Sequence, residues 1–575
     1  MKQNITTILR EYTKEPKIAY FSMEIGLKDE IPTFCGGLGV LAGDTVKSAA
    51  DLSLPFVAIT LISRKGYFKQ EIDGMGHQIE LPLTWEPSSL MTAVTEKVAV
   101  TIEGRPVHLQ AWIYFVESLR GGNVPVIFLD ANLPENSPED RTLTDHLYGG
   151  DECYRLKQEL LLGIGGVRML KKLGFKVKKY HMNEGHAAFL TLELLHEHKK
   201  DLERVWDESF IWDFETVKDL CVFTTHTPVE AGHDRFTYEL YNKVAGDYFP
   251  EKILQKLAGA KHLNLTLLGL NLSMYVNGVA KKHGEVSQNM FPGYRINAIT
   301  NGVHSFTWTS DSMKKVFDKY LPGWANEPEI FVRVGAIPDE EMWNAHQEAK
   351  KIFIDYVNSV SDAGMDADTL TLGFARRITE YKRPDLLFFD PERLERIGTG
   401  KIQIIYAGKA HPRDTDGKHA IERIFSQIEK FKGKIKIAYI QNYNMSTALR
   451  LISGVDVWLN TPLRPLEASG TSGMKAAHNG VVNFSVLDGW WIEGHIEGFT
   501  GWAIGPAPTE IQPDWNMSKI DAEDLYTKLE KFVIPRYYND RKQWIRMMQN
   551  AIGKNAYYFN THRMMRRYVT EAYIR

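Results

Sequence analysis

Three stretches of this 575-residue chain bring together residue types that do chemistry on anions. The first is Cys35-Gly36-Gly37-Leu38-Gly39-Val40-Leu41-Ala42-Gly43. If the loop opens a helix, its bare backbone N–H groups can approach a phosphate or a sugar hydroxyl closely. Gly37-x-Gly39-x-x-Ala42 also has dinucleotide-fingerprint spacing, but the preceding apolar run ends well before it and no acidic ribose partner follows at the right distance. A tight turn needing positive φ is a third reading. The second stretch is Arg376-Arg377-Ile378-Thr379-Glu380-Tyr381-Lys382-Arg383, with four cations after an apolar run. Arginine offers phosphate oxygens a fixed donor fork and lysine a point charge; the alternative is a solvated charge run paired with Glu380 and Asp385. The third is Glu467-Ala468-Ser469-Gly470-Thr471-Ser472-Gly473-Met474-Lys475. Its small residues could line an anion at a helix start, with Lys475 one turn inside, although the spacing is not that of a Walker A loop. A lysine beside a phosphate cradle suits a Schiff-base aldehyde cofactor carrying its own phosphate; an ordinary helix cap with a surface lysine is the alternative.

Regular elements must position these stretches. LTLGF (370–374), IQIIYAG (402–408), IKIAYI (435–440), VDVWLN (455–460) and VVNFSVL (481–487) read as buried strands, with helical segments at 417–431 and 446–453. Such alternation implies βαβ units and a parallel sheet covered on both faces. In the first half, KIAYFSM (17–23), FVAITLI (56–62), VKKYHM (177–182), LCVFTT (220–225) and RINAIT (295–300) read as strands. Residues 154–173 read as a helix ended by Gly174, another helix starts at Ala187, and 78–130 is hairpin-like. The strand ends carry Asn183-Glu184-Gly185-His186, His226-Thr227, Asn301-Gly302-Val303-His304 and the Arg376 loop. Open parallel sheets bind ligands outside the carboxyl ends of their strands. The pattern therefore predicts an α/β protein of two doubly wound, Rossmann-like domains facing one cleft, with a crossover near 298–310 and a helical, polar segment over 311–365.

Composition narrows the class. Lys+Arg 69 against Asp+Glu 72 gives a formal charge of −3, so the basic loop is isolated and nucleic-acid binding is disfavoured. Cys35, Cys153 and Cys221 are too few for a disulfide framework and too scattered for zinc, so no metal is expected. The apolar run 54–62 is too short to span a bilayer, and residues 1–16 have no signal-peptide core. These features predict a cytoplasmic chain with no membrane partner.

Glu467–Lys475, Arg376–Lys382, Gly36–Gly39, Thr300-Asn301-Gly302 and Arg155-Leu156-Lys157-Gln158-Glu159 together resemble the α-glucan (glycogen, starch, maltodextrin) phosphorylases, in the same order and spread over residues 17–495. HRMMRRYVTEAYIR looks like the terminal helix of that glycosyltransferase superfamily. The resemblance implies the two-domain GT-B type: an N-terminal domain over 1–298 with a β-rich insertion around 78–130, and a cofactor-binding domain over 299–575 whose last helix, about 558–575, packs back on the first. It implies pyridoxal 5′-phosphate on Lys475, with Gly37, Arg376, Thr471 and Ser472 at its phosphate and Tyr443 beside it. Arg377 and Lys382 match the binders of substrate phosphate. Leu38, His226, Asn301, Tyr381, Glu467, Ser469 and Gly470 match positions around the terminal glucosyl unit.

The reaction so implied is reversible, retaining phosphorolysis of terminal α-1,4-linked glucose from glycogen, starch or maltodextrins to glucose 1-phosphate, the cofactor phosphate relaying a proton. Several positions depart from the family pattern: Arg376 stands for lysine, Thr379 for histidine, Ser472-Gly473 for Gly-Asn and Asn444 for arginine, and Trp490-Trp491 is unusual. The tryptophans suit either sugar stacking or buried packing. The chain is shorter than the animal and plant enzymes and resembles a compact prokaryote type, which is expected to lack their N-terminal regulatory segment; a homo-oligomer stays open. Two other classes stay open as well: a glucan synthase of the same architecture using a nucleotide sugar, and a non-catalytic glucan-binding relative.

Overall fold

The computed structural model describes residues 5–119, 121–202, 207–508 and 514–574; the outermost positions of the expected domains, 1–4 and 575, lie outside them. Two large sheets organise the chain. The first runs, edge to edge, Asn297–Ala298, Tyr275–Gly278, Cys221–Thr224, Val177–Asn183, Lys17–Ser22, Phe56–Leu61, Asn123–Asp130, Arg105–Glu117 and Thr92–Ile102. Its first seven strands are parallel, and the last two fold back antiparallel. The second sheet is wholly parallel, in the order Lys436–Ile440, Ile402–Ala407, Leu370–Ala375, Val457–Asn460, Val482–Val486 and Gly501–Ile504.

Burial explains which runs became parallel strands. Lys17–Ser22, Phe56–Leu61, Leu370–Ala375 and Ile402–Ala407 are buried at every residue, as strands covered on both faces must be. Alternate residues feed separate cores: Ala19, Phe21, Val57 and Ile59 face one, Ile18, Tyr20, Phe56 and Ala58 the other. By contrast, Thr92–Ile102 and Arg105–Glu117 mix buried with exposed positions and pair antiparallel, within the hairpin-like stretch expected over 78–130.

Strand order reverses beside the first strand of each sheet, Lys17–Ser22 and Leu370–Ala375. Chains leaving such a point diverge to opposite faces and open a crevice at the carboxyl ends. The loops bearing Glu24, Glu184 and Arg376 start there.

Three expected elements differ in detail. The strand expected over 295–300 is only Asn297–Ala298. The helix expected from Ala187 begins as a 3-10 turn, Gly185–Ala187, and becomes α-helical at Leu190–Glu197, because the chain must first turn at Glu184. The helix over 154–173 starts at Glu152, carries a π turn at Leu161–Gly165, and ends before Gly174 at φ +84°.

Two segments cross between the sheets. The hairpin of Lys69–Ile72 and Gln78–Leu81 docks on loops of the second sheet: Gln70 Nε2 donates to the Gly408 carbonyl at 2.8 Å, and Gln78 Nε2 to that of Ala410 at 2.9 Å. Helix Thr561–Tyr568 lies beside helix Gly37–Asp51 on the first sheet, burying Met564, Met565 and Tyr568. No helix among the described residues is long and apolar enough to cross a membrane.

Candidate active site

The glycine loop opens helix Gly37–Asp51, capped by Gly36 in extended backbone without a side-chain cap. A Cβ placed at Gly36 or Gly37 would meet nothing within 4 Å. At Gly39 it would come within 2.5 Å of Glu24 Oε2, and at Gly43 within 1.8 Å of the Gly26 carbonyl. The glycines thus divide: the last two allow close packing, and the first two leave bare backbone facing open space. Buried Glu24 holds the loop, accepting from Cys35 N at 2.8 Å and from the Tyr148 hydroxyl at 3.0 Å.

At the carboxyl end of the second sheet, Arg376 and Lys382 converge on Glu467. Its Oε2 accepts from Arg376 Nη2 at 2.6 Å and Lys382 Nζ at 2.5 Å. Burial works against the Glu467 charge, but Arg376 and Lys382 outweigh it and hold the carboxyl well below its usual range. Arg376 Nε and Nη1 are buried with no partner, so most of its donor fork is unspent. Lys382 Nζ also lies 4.4 Å over the Tyr381 ring. Arg377 is exposed and makes no ion pair among the described residues. Tyr443 is half-buried near Arg376; burial pushes its hydroxyl up and the guanidinium partly offsets this.

Lys475 lies on the short helix Ser472–His478, 8% exposed, with Nζ 3.7 Å over the Trp308 ring. Burial brings its ammonium down to about 8. The Thr471 side chain makes no capping bond, and Ser472 Oγ accepts from Trp458 Nε1 at 3.0 Å. Gly470 has φ +72°, and the buried Ser469 carbonyl accepts from Trp490 N at 2.8 Å.

His226 and Asn301 sit at the carboxyl edge of the first sheet, Leu38 half-buried in the glycine loop. His226 donates from its backbone to Glu184 Oε2 at 2.7 Å, and its Nε2 lies 2.6 Å from Asn183 Oδ1. Burial lowers the ring to about 4, so it is neutral at pH 7; Nε2 carries the proton and Nδ1 is the acceptor. Glu184 has φ +76°, a strained backbone held by those contacts and by Thr227 Oγ1 at 3.0 Å. Asn301 Oδ1 is buried without a partner, while its carbonyl accepts from Arg563 Nη2 at 3.0 Å. Neither residue hydrogen-bonds to the Arg376–Glu467 cluster.

Residues 212–497 match the family model for carbohydrate phosphorylases. The whole chain aligns at 39% identity with 72% of the maltodextrin phosphorylase of Thermococcus litoralis. It is 35% identical over 98% of its length to the glycogen phosphorylase of Aquifex aeolicus, covering 87% of that protein, and 35% identical over 97% of its length to that of Mycobacterium tuberculosis, covering 70%. The chain belongs to the carbohydrate phosphorylase family.

Against the family pattern, each departure has a local setting. Asn444 caps helix Met445–Gly454, its Oδ1 accepting from Thr447 N at 2.8 Å, which is an ordinary use of asparagine. Thr379 Oγ1 is buried and unpaired. Trp490 and Trp491 are 3% and 0% exposed and pack against each other and Phe559, so they are core side chains rather than sugar platforms. Several residues beside these groups carried no sequence signal: Glu24, Asp44, Trp308 and Asp488 become their neighbours only through folding. Arg155, inside a motif that did signal, is committed to a buried network with Glu159 at 3.1 Å, Asp234 at 2.9 Å and His186 at 2.9 Å.

Proposed function

We propose that this chain catalyses reversible, retaining phosphorolysis of terminal α-1,4-linked glucose from an α-glucan, giving glucose 1-phosphate, with pyridoxal 5′-phosphate attached at Lys475. The relatives named for maltodextrin and for glycogen support the substrate class. One observation carries the assignment: Lys475 is a buried amine with no ion-pair partner among the described residues, resting on an indole face. The surroundings fit the cofactor, since Arg376 has two buried unpaired nitrogens and Gly37 faces open space. The same proposal divides the chain into two GT-B-type domains, 1–298 and 299–575, with the reaction in the cleft between them, and sets it in the cytoplasm.

Arg376, with Gly37, Thr471 and Ser472, would hold the cofactor phosphate, with Tyr443 alongside. When bound, the cofactor supplies a phosphate that exchanges a proton with the substrate phosphate. Arg377 and Lys382 bind the substrate phosphate. Two such anions repel by several kcal/mol in a poorly solvated site, roughly 4 kcal/mol per pair of unit charges at 4 Å, and three nearby cations offset this. Glu467 holds Arg376 and Lys382 in place; with Leu38, His226, Asn301, Tyr381, Ser469 and Gly470 it surrounds the terminal glucosyl unit. His226 Nδ1 is an acceptor available to a sugar hydroxyl. The substrate phosphate protonates the glycosidic oxygen, the C1–O bond breaks, and a phosphate oxygen bonds C1 from the same face, so configuration is retained.

Phosphate release from glucose 1-phosphate with a panel of maltooligosaccharide acceptors is the direct test. Turnover of ADP-glucose or UDP-glucose instead would favour the synthase reading and end this one. Lys475→Ala is expected to lose both turnover and the cofactor label fixed by borohydride. Arg377→Ala should raise the KM for phosphate about 10–100-fold, the worth of a charge-assisted contact, while the glucan KM moves much less.

A further inference from the structure

The helix that begins at Gly37 carries a second group toward Lys475, two turns further on. Asp44 is 1% exposed. Its Oδ2 accepts from Trp308 Nε1 at 2.8 Å and from His304 N at 3.2 Å, and its Oδ1 is buried with no partner. Trp308 therefore lies between two charges: the Lys475 ammonium on its ring face, and the Asp44 carboxylate on its N–H edge. A carboxylate at that edge fixes the plane of the indole and makes its face more attractive to a cation.

We propose that Asp44 is a positioning residue for cofactor attachment: through Trp308 it fixes the platform on which the Lys475 amine rests, and it is the counter-charge of that amine. The inference rests on Lys475 being the cofactor lysine. Burial draws the Lys475 proton off, and the negative charge of Asp44 opposes this, while Lys47 on the same helix works with burial. Among the other groups on the elements packed against Lys475, His304 turns its ring to Asp51 at 2.8 Å, and His478 is bonded to the Met474 carbonyl and Ser305. Arg450 lies over Tyr356, and Lys554 is exposed. One helix thus presents open backbone at its start and a tuned counter-charge at its middle.

The test titrates the Lys475 amine in the full-length, cofactor-free protein by competitive acetylation with acetic anhydride across pH, read at Lys475 by peptide mass spectrometry. Asp44→Asn keeps an oxygen for the indole N–H and removes the charge; the midpoint should fall by about one pH unit. Trp308→Phe replaces the indole with a face that holds a cation less strongly and cuts its link to Asp44, so the midpoint should fall there too. A wild-type midpoint in either variant, with an unchanged far-UV spectrum, overturns the proposal. Should Asp44→Asn not fold, Trp308→Phe alone decides. Because no cofactor takes part in the titration, its failure is distinct from failure of borohydride to fix a label at Lys475, which would refute the cofactor assignment itself.

Discussion

Glu467 accepts from two cations on one oxygen, and its backbone N–H donates to Asp488 Oδ2 at 2.9 Å. The two carboxyls are pushed apart: Arg376 and Lys382 hold Glu467 ionised despite burial, whereas burial, and then the charge of Glu467, raise Asp488 to about 7. An unfolded aspartate titrates near about 3.9, so between there and about 7 the folded chain binds a proton the unfolded chain lacks. This contribution stabilises the fold at the acid end of the window, is lost as pH rises through about 7, and is flat above. Asp488→Asn should remove that slope; melting temperatures at pH 5 and pH 8, compared with the parent, measure it. An undiminished slope in the variant would assign it to other groups.

Helix Gly37–Asp51 shows how one element serves packing and chemistry through the same residue type. Gly43 sits where any Cβ would overlap the Gly26 carbonyl, while Gly37 faces open space. Gly43→Ala should therefore cost at least about 1–3 kcal/mol of stability, the scale of overpacking, and lower the melting temperature. Gly37→Ala should leave the melting temperature nearly unchanged and weaken phosphate binding. Equal thermal losses in the two variants would contradict the division. Spacing alone treats these glycines as one motif; the neighbours that separate them, Gly26 and Glu24, come from the preceding loop.

At the scale of the whole molecule, the C-terminal helix is a support for the first sheet. Arg563 donates to the Thr300 carbonyl at 2.7 Å and to that of Asn301 at 3.0 Å, and a Cβ at Gly302 would meet Asn560 within 2.3 Å. His181 Nδ1 lies 2.7 Å from the Tyr573 hydroxyl, and Asn277 Nδ2 donates to that of Tyr568 at 3.0 Å. The loop bearing Asn301 is thus held from Arg563, 262 residues further along the chain. Arg563→Leu should raise the glucan KM with little change in the phosphate KM, since it touches the Asn301 carbonyl and not the Arg376 cluster. Initial rates with each substrate varied in turn check this; parallel rises in both would point to general unfolding.

The strands were legible in the sequence because buried parallel strands are continuous apolar runs, and each long run, such as 370–374 and 402–408, became one. The charged loops were legible because Arg376–Lys382 and Glu467–Lys475 are contiguous and end such runs. Short pieces escaped for the converse reason: Tyr275–Gly278 and Gly501–Ile504 are four residues each, too few to show a period, and the bridging hairpin at 69–81 is half polar. The order of the sheets, the burial of Trp490 and Trp491, and the meeting of Asp44, Trp308 and Lys475 belong to tertiary structure alone. Those groups stand hundreds of residues apart, and only the packing of helices on two reversing sheets brings their side chains within bonding distance.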